Sequence, residues 1–281
     1  MKTRSVHIGD VVVGGGAPLT LVAGPCVMES ETVVLRIAEK IREVTARLGI
    51  PTIFKSSYLK DNRSSAQSFQ GLGVDAGLSL LAKVRDSFDM PVLTDVHSVD
   101  EARTAADAVD VIQVPAYLCM QTSIVQAAGR TGKPVNVKKG QFIHPQDMRN
   151  VIRKLEEVDC RDIILTERGA CFGYRNLVVD FRSLPDMRSF GYPVMFDPTH
   201  AIRNYGISSS DPTGGSPEYI PALTRAGIAV GCDALFMETH DDLENALCDA
   251  ASMLPFERLE SVLQQVMAVD DACRQTSETP V

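Results

Sequence analysis

The chain contains no tryptophan, and only 6% of its residues are aromatic. It also has no apolar run approaching the roughly 20 residues that a membrane-spanning helix needs, so we do not expect it to enter a membrane. Its first ten residues carry basic side chains but no apolar segment, and they do not resemble a secretory signal. The 7 cysteines include no Cys-x-x-Cys pair. Their odd number favours reduced thiols and a cytoplasmic protein.

Basic residues are also in the minority. The chain has 28 Lys and Arg against 36 Asp and Glu, which gives a net charge of -8. Because nucleic acids attract clustered positive charge, and this chain has no basic tail, we do not expect a nucleic-acid partner. With 281 residues, 44% of them hydrophobic and 23% charged, the composition is that of an ordinary globular protein.

Eight short apolar runs recur along the chain, and each ends in a group of polar or ionisable residues. Amphipathic stretches lie between them. This pattern is typical of parallel strands that are buried on both faces and alternate with helices. Eight such runs predict an α/β fold, a (β/α)₈ barrel formed by residues 1–281 as a single domain, with its active site at the C-terminal ends of the strands. The runs span residues 19–26, 52–57, 92–97, 111–116, 135–140, 163–169, 194–200 and 234–240.

Residues 4–14 come before the first run. Two short apolar segments flank Gly9 and Asp10 there, which predicts a β-hairpin that covers the N-terminal end of the barrel. Two long segments, residues 58–74 and 201–216, follow runs on the predicted active face, and we interpret them as lids. Helices are expected near residues 30–48 (with Ser30 as N-cap), 75–87, 98–108, 122–130, 145–158, 217–226 and 255–274.

Cations collect at the ends of the runs although the protein as a whole is acidic. Arg binds phosphate through two parallel hydrogen bonds, and Lys binds it as a point charge. The sequence therefore predicts an anion-binding site, with phosphate groups as the leading candidate ligands. The residues concerned are Lys55, Lys60, Arg63, Lys138, Lys139 and Arg168.

A second set of side chains suggests a metal site. Cys26, His200, Glu238 and Asp249 belong to the first, seventh and eighth runs and to the segment after the eighth, and these strands are neighbours in a closed barrel. A thiolate, an imidazole and two carboxylates suit Zn²⁺, Fe²⁺ or Mn²⁺ better than Mg²⁺. Rival candidate ligands are Glu29, His97 and His240. The cysteines interpreted as packing residues are Cys119, Cys160, Cys171, Cys232, Cys248 and Cys273.

At these residues the chain resembles a known family. The motifs follow one another as GPCVMES, FKSSYLKDNRSS, TDVH, VIQVPAYL, VNVKKGQF, TERGACFGYRNLVVDFRSLP, FDPTH and METH with CDAASMLP. Together they resemble the 3-deoxy-D-manno-octulosonate 8-phosphate synthases over residues 6–271. The resemblance implies a homotetrameric (β/α)₈ barrel that condenses phosphoenolpyruvate with D-arabinose 5-phosphate for lipopolysaccharide synthesis.

The resemblance also implies roles for individual residues. Because Cys26 stands in the GPC segment, it implies the metal-dependent branch, with Cys26, His200, Glu238 and Asp249 as ligands of a divalent ion. Catalytic roles fall to Lys60, Asp95, His200 and Asp249, and Asp95 would contact the sugar. Phosphoenolpyruvate would be held by Lys55, Ser57, Lys60, Gln113, Lys138 and Arg168, and the aldose phosphate by Asn62, Arg63 and Ser64.

Four positions depart from the family's pattern. Asp61 replaces an alanine, Gln70 and Met120 stand where arginines are usual, and Ser216 stands where the family has a basic residue. Each hydrogen bond that a charged arginine would donate to a phosphate at such a position is worth about 1.5–3 kcal/mol. The alternative is therefore a paralogous synthase that joins phosphoenolpyruvate to a different aldose or aldose phosphate. An aldolase that only cleaves, or a sugar-phosphate binder without activity, is disfavoured because each would leave an anion-binding group without a purpose.

Overall fold

The computed structural model describes residues 2–61, 68–171, 176–204, 206–207 and 211–277. Three residues predicted to hold the aldose phosphate, Asn62, Arg63 and Ser64, lie outside these ranges.

Eight parallel strands form a closed barrel. They pair in chain order, and the last strand pairs with both the first and the seventh, which completes the circle. This confirms the predicted (β/α)₈ fold. A further strand of two residues (Leu254–Pro255) extends the sheet beside the last barrel strand. The strands are β3 (Thr20–Gly24), β4 (Thr52–Lys55), β5 (Val92–Asp95), β6 (Val111–Val114), β7 (Val135–Lys138), β8 (Ile163–Glu167), β9 (Val194–Phe196), β10 (Ala234–His240) and β11 (Leu254–Pro255).

Helices cover the outside of the barrel close to where the sequence predicts them. Ser30 caps the first helix, as predicted, and its hydroxyl accepts a hydrogen bond from the Val33 amide. None of the described helices is long and apolar enough to cross a membrane. The helices are α1 (Glu31–Leu48), α2 (Val74–Phe88), α3 (Val99–Ala106), α4 (Thr122–Gly129), α5 (Met148–Glu156), α6 (Ser183–Arg188), α7 (Pro198–Ala201), α8 (Ile220–Val230) and α9 (Leu259–Ser277).

Two short helices correct the sequence prediction. Helix α6 was not expected, and residues 194–200, predicted as one strand run, divide into strand β9 and helix α7. Pro198 lacks the N–H that would continue the sheet, and the Asp197 carboxylate accepts a hydrogen bond from the His200 amide as a helix cap. His200 therefore projects from the first turn of a helix.

The N-terminal hairpin closes the lower end of the barrel. Strands β1 (Ser5–Ile8) and β2 (Val11–Gly14) are antiparallel, and Gly9 takes a positive φ of 56° in the turn between them. Apolar side chains of the hairpin, Ile8 and Val13 among them, pack against the lower interior of the barrel. The hairpin lies where the sequence predicted it.

Alternation along each strand sets what lies inside the barrel. Ile53 and Leu93 belong to the lower interior cluster, and Lys55 and Asp95 follow two positions later on the same face. Phe54, between them, points outward into the core under the helices. The same step leads from Met195 to Asp197 and from Phe236 to Glu238. The apolar side chains of the lower barrel interior are thus replaced, two residues further along each of these strands, by ionisable side chains at the upper opening.

Candidate active site and metal corner

A cavity of about 270 Å³ opens at the C-terminal ends of the barrel strands. It brings together most of the predicted site residues. Ser57 is buried beside the cavity and donates a hydrogen bond to Asp95, and Cys26 is buried beside Cys248. The predicted residues in the cavity wall are Lys55, Lys60, Asp95, Gln113, Lys138, Arg168, His200, Glu238 and Asp249.

Two lysines share one buried carboxylate in this wall. Lys55, at the end of β4, is 1% exposed, and its Nζ donates to Glu238 Oε1 at 3.0 Å and to Ser57 Oγ at 3.2 Å. Lys60 Nζ lies 4.0 Å from the same Glu238 oxygen. Because an unpaired buried charge is very costly, the carboxylate explains how both ammonium groups remain buried in this wall.

The same charges fix the protonation of the wall. Burial raises the pKa of Glu238, but His200 and the two lysines outweigh it and hold that pKa at about 2. Burial also raises the pKa of Asp95, yet Lys60 and Lys55 bring it well below its usual value. Burial lowers the pKa of Lys60, and the surrounding negative charges raise it well above its usual value. At neutral pH both carboxylates and Lys60 are therefore charged.

Asp197 organises the other side of the cavity. Its Oδ2 lies 2.5 Å from Lys138 Nζ and 2.7 Å from His200 Nδ1, and the residue is fully buried. We assign the Nδ1 proton of His200 to this contact. Nε2 then faces Glu238 Oε2 at 3.6 Å. Burial lowers the pKa of His200 despite the charge of Asp197. The ring is therefore neutral at pH 7 and offers Nε2 as a ligand.

We call the five residues at the end of β3, on α7, at β10 and after it the metal corner: Cys26, His200, Glu238, Cys248 and Asp249. Ligand atoms of His200, Glu238 and Asp249 lie within 4.8 Å of one another, and so do those of Cys26, Cys248 and Asp249. The predicted ligands therefore form two groups that share Asp249. Glu238 Oε2 is buried and has no hydrogen-bond partner among the described residues. An acceptor left without a donor next to a neutral imidazole fits a divalent cation.

The rival ligands lie elsewhere. His97 is held between two carboxylates, with Nε2 3.3 Å from Asp95 and Nδ1 3.2 Å from Glu101. His240 Nε2 lies 3.6 Å from Glu29. Within the described part of the chain, none of these rivals joins either group of ligand atoms in the metal corner.

Comparison with known proteins identifies the family. The DAHP synthetase I family matches residues 2–275. The chain belongs to the DAHP synthetase I family. A 2-dehydro-3-deoxyphosphooctonate aldolase from Trichlorobacter lovleyi is 50% identical over 272 residues, which cover 97% of this chain and 100% of that protein. Proteins of the same name from Citrifermentans bemidjiense and Geobacter sp. strain M21 are 50% and 49% identical over 268 residues, covering 95% of this chain and 98% of each. These names confirm the resemblance seen in the motifs.

Sequence reasoning missed three residues of this family member's site. Asp197 orients His200, Cys248 contacts Cys26, and Arg203 lines the cavity and forms an ion pair with Asp249. Cys248 does pack in an apolar cluster, as predicted, but its sulfur also belongs to a group of possible ligand atoms. The sequence does place these residues close to predicted ligands. Asp197 and Arg203 each lie three positions from His200, and Cys248 directly precedes Asp249.

Proposed function

We propose that this protein condenses phosphoenolpyruvate with D-arabinose 5-phosphate and water, and releases 3-deoxy-D-manno-octulosonate 8-phosphate and inorganic phosphate. One observation carries the proposal: Lys60, Lys138 and Arg168 meet in one cavity beside the metal corner. The chain's relatives named 2-dehydro-3-deoxyphosphooctonate aldolase give the reaction its identity.

The cations of the cavity match the charges of phosphoenolpyruvate. Arg168 is 4% exposed and follows β8, and Lys138 is 5% exposed at the end of β7. A guanidinium can bind a carboxylate or phosphate through two parallel hydrogen bonds, and an ammonium contributes charge without a fixed direction. Gln113, 3% exposed on β6, adds a polar group to the same wall. We assign this half of the cavity to phosphoenolpyruvate.

In the reaction, carbon 3 of phosphoenolpyruvate attacks the aldehyde carbon of the sugar, and positive charge develops at carbon 2. Water adds at carbon 2, and the resulting hemiketal expels phosphate. Lys60 stays protonated and would hold the leaving phosphate, while the Asp95 carboxylate would stabilise the developing positive charge and contact the sugar. Fixed charges in a site shielded from water are effective because they need no reorganisation during the reaction.

Cys26, His200, Glu238 and Asp249 would hold a divalent ion, and we favour Zn²⁺, Fe²⁺ or Mn²⁺ from the mixture of soft and hard donors. When bound, the ion would supply Lewis-acid polarisation of the aldehyde oxygen. Asp197 would keep Nε2 of His200 directed toward the ion. We further propose that the protein is a cytoplasmic homotetramer that serves lipopolysaccharide synthesis.

A second candidate differs only in the sugar. Gln70 and Met120 are uncharged where the family's pattern has arginines, which favours a paralogous synthase with another aldose or aldose phosphate as acceptor. Arg203 weakens this argument because it adds a guanidinium to the described cavity wall. The residues Asn62, Arg63 and Ser64 stay predictions for the acceptor's phosphate.

The deciding experiment measures phosphate release from phosphoenolpyruvate with a panel of aldose phosphates and free aldoses, with product identified by mass. We expect the highest kcat/KM with arabinose 5-phosphate, a fall of at least about 100-fold after metal removal by a chelator, and recovery with Mn²⁺ or Zn²⁺. Chelator already saturated with metal is the control. A different best acceptor would establish the paralogous synthase. Absence of release with every acceptor would refute a condensing enzyme.

A further inference from the structure

Two buried thiols meet inside the metal corner. The sulfurs of Cys26 and Cys248 lie 2.6 Å apart, although the residues are 222 positions apart in the chain. Cys26 follows β3, Cys248 lies in the segment after β10, and the two residues are 1% and 2% exposed. Val27 and Met253 pack around them in a small apolar cluster. The condensation reaction makes no use of a second thiol.

We propose that Cys26 and Cys248 are a modification site, which hydrogen peroxide oxidises to a disulfide that removes the sulfur ligand from the metal corner. The consequence for metal binding rests on the proposed function, whereas the disulfide itself does not. The sulfurs need to approach by only about 0.6 Å to reach the S–S bond length of about 2.05 Å.

The oxidant is small enough to reach the pair. Asp249 lines the open cavity, and its carboxylate lies within 4.8 Å of both sulfurs. Peroxide is close to water in size, so a small movement of the Asp249 side chain would let it pass from the cavity to the sulfurs. Zn²⁺ bound to Cys26 would draw electron density from the sulfur and so lower its reactivity toward peroxide.

The chemistry balances with one peroxide. One thiol loses its proton and its sulfur attacks a peroxide oxygen; the O–O bond breaks, a sulfenic acid forms, and hydroxide leaves to become water. The second thiol sulfur then attacks the sulfenic sulfur, the S–S bond forms, and hydroxide leaves with the second proton as another water. Two thiols give up one electron each, and peroxide takes up both.

The disulfide would alter two candidate ligands at once. It uses the Cys26 sulfur directly. It also ties down Cys248, whose neighbour Asp249 has a left-handed backbone with φ of 50°, a conformation that non-glycine residues rarely adopt. Because this backbone has few alternative conformations, a shift of Cys248 would be passed to the Asp249 carboxylate.

The test treats the full-length, chelator-stripped protein with hydrogen peroxide, removes the peroxide, unfolds the protein in denaturant and then alkylates the remaining thiols. We expect a mass loss of about 2 Da before alkylation, since two hydrogens leave. We also expect five of the seven thiols to be alkylated and a Cys26–Cys248 cross-linked peptide after digestion. Zn²⁺ binding, measured by metal analysis after dialysis, should fall at least about tenfold and return with dithiothreitol. Protein loaded with Zn²⁺ beforehand should resist oxidation.

Two variants sharpen the result. Cys248→Ser should lose the cross-link, and Cys273→Ser, which changes a partly exposed cysteine of α9, should form it as the wild type does. Seven alkylated thiols after peroxide, or a cross-link between other cysteines, would overturn the proposal. The peptide map of the wild type decides the matter even if Cys248→Ser folds poorly. The formation of the disulfide is read from mass, so this test does not depend on the condensation assay.

Discussion

The two ends of the barrel interior are built by the same alternation of side chains and have opposite contents. The lower end holds aliphatic side chains from the hairpin and from the strand starts, such as Ile8, Val22 and Ile53. The upper end, two residues further along, holds pairs of opposite charge such as Lys55 with Glu238. Because these side chains are buried at both ends, the lower end excludes charge, whereas the upper end pairs its buried charges with one another.

This difference separates stability from activity. Burying apolar surface contributes about 25 cal/mol per Å², so the lower end stabilises the barrel. A buried ion pair adds little net stability, because the loss of hydration offsets the attraction between its members. The upper end therefore holds its charges for binding and catalysis, and substitutions at the two ends should have different consequences.

The largest effect on stability is expected at the lower end. Ile8, 2% exposed in β1, packs against the barrel interior. Ile8→Ala removes apolar atoms and leaves a cavity beneath the strands, and we expect it to lower the free energy of unfolding by about 2–4 kcal/mol. Chemical denaturation measures this change. Because Ile8 lies at the opposite end of the barrel from the cavity, the kcat and KM of the folded variant at 25 °C should stay within about twofold of wild type. A twofold change corresponds to less than about 0.5 kcal/mol in transition-state binding.

Val230→Ala is the matched control for this loss of side chain. Val230 ends α8 and is 44% exposed, so its truncation should change stability by less than about 0.5 kcal/mol. A drop in kcat for Ile8→Ala as large as that of a cavity-wall variant would show that the two ends are not separable.

At the upper end, Asp197→Asn should weaken metal binding by about 10–100-fold. The amide no longer carries the charge that fixes Nδ1 of His200, and it leaves Lys138 without its closest anion. Competition with a fluorescent chelator measures the affinity for Zn²⁺ or Mn²⁺ without using activity.

The control keeps the same chemical change at the surface. Asp180 pairs with Arg182 and is exposed, so Asp180→Asn should leave the metal affinity unchanged. Equal affinities for Asp197→Asn and wild type would mean that His200 is oriented by other groups or is not a ligand.

The difference between the ends also explains what the sequence could reveal. Lys55, Asp95 and Glu238 could be found because each ends a recognisable apolar run, and local alternation settles which face they occupy. Adjacency to His200 and Asp249 could have drawn attention to Arg203 and Cys248, but their contacts could not be predicted. Those contacts depend on how segments far apart in the chain come together in space. Helix α6 was not predicted because its six residues, which include Pro185, are too few to show a helical spacing of apolar side chains.

The smallest expected effect concerns the rim of the upper end. His97 lies between Asp95 and Glu101, and although burial lowers the pKa of its imidazole, these carboxylates raise it from 6.5 to about 9. A raised pKa means that the folded protein keeps the proton longer than the unfolded chain, so this contribution to stability is full below pH 6.5 and is lost as pH rises through 9. We expect His97→Gln to cost about 1–2 kcal/mol at pH 6 and progressively less toward pH 10. Denaturation of both proteins across this range measures the difference, with the exposed His144→Gln as control. If the difference in unfolding free energy between the two proteins does not vary with pH, His97 stabilises the rim by packing. Its contacts with Asp95 and Glu101 would then contribute no charge pairing to the stability of the upper end.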